Sequence, residues 1–233
     1  MADQTFSLVR GRAMRVTQLD HCGRIVTTGT PTIATDGFIS VGFTANTEAG
    51  ETISVTNAAG KVCILDEPAP SFTGYSVEVA FCGVDPDLFS MMTGQPVVLG
   101  ANGTDSVGMR MNSAISLDDT AFALELWSNV PVAACDAAGG ATFGYLLLPF
   151  IKGGVLGDFT VENGAVNFTL TGASTKDGSE WGVGPYEVVK DATDVNSPLL
   201  EPIDANDHLH MQLTTVAPPE PSNGRIALPV VGP

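Results

Sequence analysis

Two histidines and two aspartates near the C-terminus are the residues whose types and spacing best suit chemistry. Asp204, Asp207, His208 and His210 lie within one short stretch of the chain. On a strand, His208 and His210 would point to the same face, and the two carboxylates could complete a metal site. The only other histidine is His21, and the chain has no H-E-x-x-H pattern. A metal-dependent hydrolase is therefore retained only as a minor alternative.

Other catalytic signatures are missing from the sequence. It contains neither the G-x-S-x-G turn of a serine hydrolase nor a phosphate-binding P-loop. The stretch 181–185 contains G-x-G, but it lacks a third glycine in register and a following helix. We therefore expect no catalytic residue, no metal and no cofactor, and we predict that the protein is not an enzyme.

The composition indicates a folded, acidic protein. The chain has 233 residues, of which 44% are hydrophobic and 15% charged, and its formal net charge is −16. So few basic residues argue against stable nucleic-acid binding, because Lys and Arg supply the affinity for phosphates. No apolar run approaches the roughly 20 residues that span a bilayer, and residues 1–15 lack the apolar core of a signal peptide. We expect synthesis in a cytoplasm and no association with a membrane.

Period-two alternation of apolar residues predicts that strands dominate the fold. Residues 75–81 and 122–126 alternate in this way, and Asn163-Gly164 between two alternating runs predicts a hairpin over 159–170. One helix is predicted over Pro86–Thr93, capped by Asp85 and ended by Gly94. The expected fold is mainly β: an antiparallel β-sandwich or half-open barrel with one short flanking helix.

Composition divides the chain into three parts. Residues 1–35, with their arginines and Gly/Thr/Pro-rich spacing, are predicted to form an extended N-terminal arm, and residues 36–216 the β domain. Residues 217–233 are proline-rich, which predicts an extended tail. Because the arm is basic and the body acidic, Arg10, Arg12 and Arg15 could contact a neighbouring copy; a solvated tail fits the charges equally well.

Several segments, in this order, resemble one protein family and together cover most of residues 37–216. They are the hairpin-like stretch 37–55 with its Gly50 turn, the stretch 61–66, the strand-to-helix passage 75–94, the hairpin 159–170 and the stretch 181–186. In this order they resemble the major tail proteins, the tail-tube subunits of long-tailed bacteriophages. The chain is most similar to those of phages that infect actinobacteria.

The resemblance implies a structural role without an active site. Tube subunits form hexameric rings whose inner sheets join around a lumen, and the rings stack into a tail tube that delivers DNA to the host. The implied partners are further copies of the chain, a tape-measure protein in the lumen, and tail-tip and tail-terminator proteins, with DNA present only in transit. The implied location is the virion tail, assembled in the host cytoplasm.

The resemblance also suggests where copies meet. The 37–55 hairpin, with Asn46, Thr47, Glu48 and Gly50 at its expected tip, is the candidate for contacts between rings. Acidic residues facing the lumen would repel DNA and let it pass without sticking. Two alternatives stay open: another β-rich virion protein, such as a head decoration protein or fibre-associated module, and the metal-dependent hydrolase considered above.

Overall fold

The described residues form a β-sandwich with one α-helix. A computed structural model describes residues 6–131, 141–161, 163–164, 166–222 and 224–229. The strands are β1 (Val9–Leu19), β2 (Thr32–Thr35), β3 (Phe38–Glu48), β4 (Ile53–Thr56), β5 (Val62–Asp66), β6 (Ser71–Phe81), β7 (Val97–Leu99), β8 (Ser106–Met109), β9 (Ala121–Asn129), β10 (Phe143–Lys152), β11 (Val155–Leu156), β12 (Phe168–Thr175), β13 (Val189–Lys190), β14 (Asn196–Ser197) and β15 (His210–Thr214). The helix α1 spans Pro86–Thr93, and Leu117–Asp119 forms a short 3-10 turn.

One large antiparallel sheet runs in the order β2-β1-β9-β10-β12-β6-β3. Strand β10 belongs to both layers of the sandwich, because its first half pairs with β15 and its last two residues pair with β12. The sheet bends there, so that β2, β1, β9, β10 and β15 form one layer and β12, β6 and β3 form the facing layer. The predicted mainly β fold with one helix is confirmed.

The main core lies between these two layers and under α1. Met14, Val16, Phe122 and Leu124 of the first layer meet Val77, Val79 and Phe81 of β6. The helix adds Leu88, Phe89, Met91 and Met92. Its bounds match the prediction: the Asp85 carboxylate accepts a hydrogen bond from the Asp87 N–H at 2.8 Å, and Gly94 ends the helix with φ 71°. No helix among the described residues is both long and apolar enough to cross a bilayer.

A second core covers the other face of the first layer. There Trp127, Tyr145 and Leu147 pack against Trp181 and Tyr186, which belong to the irregular segment after β12. Strand β9 is consequently buried on both faces along most of its length. The molecule thus has three layers, with irregular chain forming the third.

The predicted N-terminal arm over 1–35 is wrong for most of its described residues. Strand β1 is an inner strand of the sheet, between β2 and β9, and Met14 and Val16 on it are fully buried. The arginines and the Gly/Thr/Pro-rich spacing obscured the alternation of these apolar residues. Residues 1–5 lie outside the described part of the chain.

Both predicted hairpins pair differently from expectation. Residues 38–48 pair with β6 instead of with residues 52–55, while β4 and β5 form their own hairpin around a turn at Asn57–Gly60. Strand β12 pairs with β6 on one side and with β11 on the other. Strands β11 and β12 thus form a hairpin whose connection contains Asn163-Gly164, but its ladder joins residues 155–157 to 169–171 and does not include residues 159–161. The turn residues Asn163-Gly164 are flanked by positions 162 and 165, which lie outside the described residues.

The C-terminal tail lies along the edge of the sheet at β2. Ile226 exchanges backbone hydrogen bonds with Thr32, at 2.7 and 3.2 Å, and the Ser222 N–H donates to the Ala34 carbonyl at 2.8 Å. Arg225 reaches the Asp87 carboxylate at 3.7 Å. The tail therefore covers the β2 edge of the sheet within one chain.

Candidate assembly surfaces

The most conspicuous surface feature is a long two-stranded projection, here called the arm, formed by residues 47–73. It continues β3 and β6 outward and ends in the β4–β5 hairpin. Every residue in it is exposed except the half-buried Gly50. The arm therefore makes almost no use of the chain's own cores.

The arm carries large apolar side chains that this chain does not cover. The register pairs Val55 with Ile64 and Ile53 with Asp66, so Ile53, Val55 and Ile64 share one face. Leu65 and Cys63 lie on the opposite face. Ile64 keeps 55% of its surface exposed and Leu65 keeps 59%. An isolated two-stranded hairpin is only marginally stable in water, and exposed apolar patches of this kind are typical of interaction surfaces.

The arm leaves the body at Gly74, where a tight cluster fixes its base. Gly74 has φ +119°, and a Cβ placed on it would lie 2.6 Å from Thr175 Oγ1 and 2.9 Å from His208 Nδ1. Thr175 Oγ1 also accepts a hydrogen bond from the Tyr75 N–H at 2.8 Å. The ring of Phe72 meets the His208 ring edge-on, with centroids 5.4 Å apart. Only glycine fits here, so this cluster sets the direction in which the arm projects.

Asn46, Thr47, Glu48 and Gly50, predicted as the tip, lie at the base of the arm instead. The Asn46 amide hydrogen-bonds Ser76 Oγ at 3.1 Å, across to β6. A Cβ on Gly50 would lie 2.6 Å from Cβ of Pro68, so the two chains of the arm approach closely there. The tip is the Asn57–Gly60 turn. The prediction was wrong because it placed the turn at Gly50, and the chain continues past that residue into β4.

Strand β3 is an open edge of the sheet. Among the described residues it pairs on one side only, with β6, through ten of its eleven residues. The other end of the sheet, at β2, is covered by the C-terminal tail. A long edge with unpaired N–H and C=O groups is a ready template for a strand of another chain.

Arg10 and Arg12 lie on the surface, as the interface prediction requires. Both are exposed at the start of β1, where two bulges interrupt the pairing with β9. Arg10 has φ +58°, and its carbonyl accepts a hydrogen bond from Ser128 Oγ at 3.2 Å. In the described part of the chain, neither guanidinium makes an ion pair.

Arg15, the third predicted interface arginine, is buried inside its own chain. Its Nε and Nη2 donate to the two carboxylate oxygens of Glu125, both at 2.6 Å. Tyr145 donates its hydroxyl proton to the same carboxylate at 2.8 Å. The guanidinium also lies over the ring of Tyr186, 3.3 Å from its centroid. The assignment of Arg15 to a subunit interface is therefore wrong, since its strand is internal and its charge is satisfied by Glu125.

Burial changes the pKa values of the ionisable groups in this network. Removal from water, reinforced by the nearby Glu125 carboxylate, raises the pKa of Tyr145 well above its ordinary value. The pKa of Tyr186 is raised for the same two reasons. Burial by itself would lower the pKa of Arg15, but the Glu125 charge and hydrogen bonds raise it overall. Both phenols are therefore uncharged at neutral pH.

Sequence reasoning missed Glu125, which carries this network. The feature that could have identified Glu125 is its position: it is the one charged residue in the otherwise apolar run 121–127, between Leu124 and Leu126. A charged residue in such a run is almost never buried without a partner. The partner could not be identified, because Arg15 lies far away in sequence and was placed in the N-terminal arm.

The histidines and aspartates of the minor hydrolase alternative do not form one site. His208 Nδ1 meets Thr175 Oγ1 and its Nε2 meets an oxygen of Asp177, both at 2.9 Å. The Asp207 carboxylate accepts from the Asp204 N–H at 2.8 Å, within the loop itself. Across the described residues, no three side chains of His, Cys, Asp or Glu are arranged to hold a metal ion. Both ring nitrogens of His208 are engaged with other partners.

Comparison with known proteins adds no identification. No protein-family model matches the chain, and no curated protein matches it.

Proposed function

We propose that this protein is a structural subunit that self-assembles into rings, and that the rings stack into a tube like the tail tube of a long-tailed bacteriophage. The observation that carries the proposal is the arm: residues 47–73 project from the body and expose apolar side chains on both faces. A second copy of the chain would bury those side chains. The family resemblance of the sequence suggests the form of the assembly.

The open edge of β3 supports ring formation. A strand of a neighbouring copy that pairs with this edge would satisfy its free backbone groups and extend the sheet from one subunit to the next. A head-to-tail contact of this kind closes into a ring when the rotation between neighbours allows it. The exposed Arg10 and Arg12 would add attraction to the acidic body of a neighbour.

The outer face of the β3–β6 layer suits the wall of a DNA channel. A shallow groove on this face is lined by glycines, hydroxyl residues, two valines and Glu78, and none of its lining residues is basic. The lining residues are Ser40, Val41, Gly42, Thr44, Ser76, Val77, Glu78 and Gly172. Such a surface offers few contacts to phosphates. With roughly −96 for six copies at −16 each, the ring would repel DNA within the screening distance of about 8 Å. DNA would pass through the channel and not be retained.

The proposal is tested by removing the outer part of the arm. Replacing residues 51–67 by two glycines joins Gly50 to Pro68, which already lie side by side. The body should stay folded, because the excised hairpin is exposed throughout. Mass in solution and electron microscopy should show tubes for the natural chain at high concentration and none for the shortened chain. A shortened chain that forms tubes equally well would overturn the role of the arm.

Oligomer symmetry separates this proposal from the other virion proteins considered. A head decoration protein would form a closed trimer or remain a monomer, whereas a tube subunit forms rings that continue to stack. No other function is favoured by a specific observation on the described residues.

A further inference from the structure

A second apolar surface lies on the body of the molecule. A groove of about 420 Å³ runs between the loop after β8 and the segment that begins with β11. Its walls include Met111, Val155, Leu156 and Phe159. Met111 is 51% exposed and Phe159 48%, so the chain leaves this groove uncovered.

The groove and the arm lie at opposite ends of the same sheet. Strand β6 starts at Ser71, at the base of the arm, and ends at Phe81, which pairs with Phe168 of β12. The ring of Phe159 packs on Phe168, with centroids 5.5 Å apart. Ten residues of strand separate Ser71 from Phe81, which is about 33 Å. One end of the molecule therefore presents a projecting apolar arm, and the other end an apolar depression.

The charges at the two ends are complementary. The arm carries Glu48, Glu51, Asp66 and Glu67 towards its base and Lys61 beside its turn. Next to the groove, Arg110 precedes Met111 and is exposed, without an ion pair to any described side chain. On the other wall, the exposed Asp158 adjoins Phe159. Arg110 can meet the acids of an incoming arm, and Asp158 can meet its lysine.

We propose that this groove is the receptor for the arm of a second copy of the chain. The inference rests on the proposed self-assembly and identifies the surface that receives the arm. The face with Ile53, Val55 and Ile64 enters the groove and covers Met111, Val155 and Phe159. Because the arm and the groove lie at opposite ends of the molecule, each copy that joins still has one unoccupied arm or groove. The contact therefore generates an open stack. A contact between two arms would instead be symmetric and would end at a pair.

Two variants separate these geometries. The first, V55D with I64D, disables the arm; the second, M111D with V155D, disables the groove. All four positions are exposed, so the body of each variant should fold, which circular dichroism and thermal unfolding will verify. The control is V195D, the same change at a valine that is 58% exposed and belongs to neither surface.

Each variant alone should fail to stack, while V195D stacks like the natural chain. Mixed in equal amounts, the arm variant supplies an intact groove and the groove variant an intact arm. The mixture should therefore give a species of twice the mass of either variant alone, and nothing longer. Mass photometry or sedimentation velocity measures this doubling.

Other outcomes are equally informative. If the groove variant stacks like the natural chain, or if the mixture shows no doubling, the groove is not the receptor, although the proposed function stands. If the natural chain itself forms no ordered assembly at any concentration, the proposed function is wrong, and the assignment of the groove as receptor is wrong with it.

Discussion

At the scale of single residues, the least predictable feature is the buried Arg15–Glu125 pair. Ala13, Arg15 and Thr17 alternate with Met14 and Val16, and a strand with one polar face is ordinarily solvated on that face. Here irregular chain around Trp181 and Tyr186 covers it. The alternation of apolar and polar residues identifies regular strands only. The third layer is irregular chain without such a pattern, so the sequence did not predict that layer or the burial of Arg15 under it.

The pair should be essential for stability. Changing Glu125 to Gln leaves a buried guanidinium without its countercharge, and the free energy of unfolding should fall by about 3–5 kcal/mol. Chemical denaturation measures this fall. The control is Glu180→Gln, which breaks the exposed Arg24–Glu180 pair at 2.9 Å and should lower stability far less, because solvent screens an exposed ion pair. Equal losses in the two variants would contradict the role of the buried network.

Arg10 and Arg12 should affect assembly and leave the fold intact. Both are exposed, so R10E with R12E should unfold like the natural chain but polymerise more slowly, because attraction to an acidic neighbour becomes repulsion. Light scattering over time gives the rate. Arg24→Glu with Lys176→Glu changes the net charge equally at other exposed positions. If this control slows growth as much as the R10E/R12E variant, net charge alone explains the effect.

At the scale of elements, the helix was the most predictable and the arm the least. Asp85, Pro86 and Gly94 mark the ends of α1 through local hydrogen bonding and backbone geometry, which a sequence shows directly. The apolar residues of β4 and β5 are equally visible in sequence. Whether their own chain covers them depends on long-range pairing, because β3 pairs with β6, which follows the β4–β5 hairpin in the sequence. A local pattern cannot show that choice of partner.

The arm contains a natural probe of its own burial. Cys63 is exposed on β5, and Cys22 is exposed in the turn after β1. In the unassembled chain both thiols should react with a maleimide. Cys63 lies beside Leu65 on the face opposite Ile53, Val55 and Ile64, so it reports whether assembly also covers this second apolar face. If a second copy buries both faces of the arm, as the proposed self-assembly requires, Cys63 should become protected while Cys22 remains reactive. Labelling followed by peptide mass spectrometry resolves the two sites; an unprotected Cys63 in assembled material would mean that the second face stays in solvent.

At the scale of the whole molecule, the sequence predicted the fold class but not the order of the strands. Alternation and turn residues identify strands one by one, whereas the crossover from β6 to β12 and the division of β10 between two layers depend on which apolar faces meet. The relation between arm and groove appears only at this scale. It follows from the position of both surfaces along β6, and it is the reason to expect an open stack of subunits.

Negative-stain electron microscopy of the concentrated 233-residue chain is the decisive test of self-assembly. We expect rings with sixfold symmetry, stacked at a constant repeat around a channel. A closed trimer, or a chain that remains monomeric at every concentration up to about millimolar, where even weak subunit contacts are occupied, would contradict it.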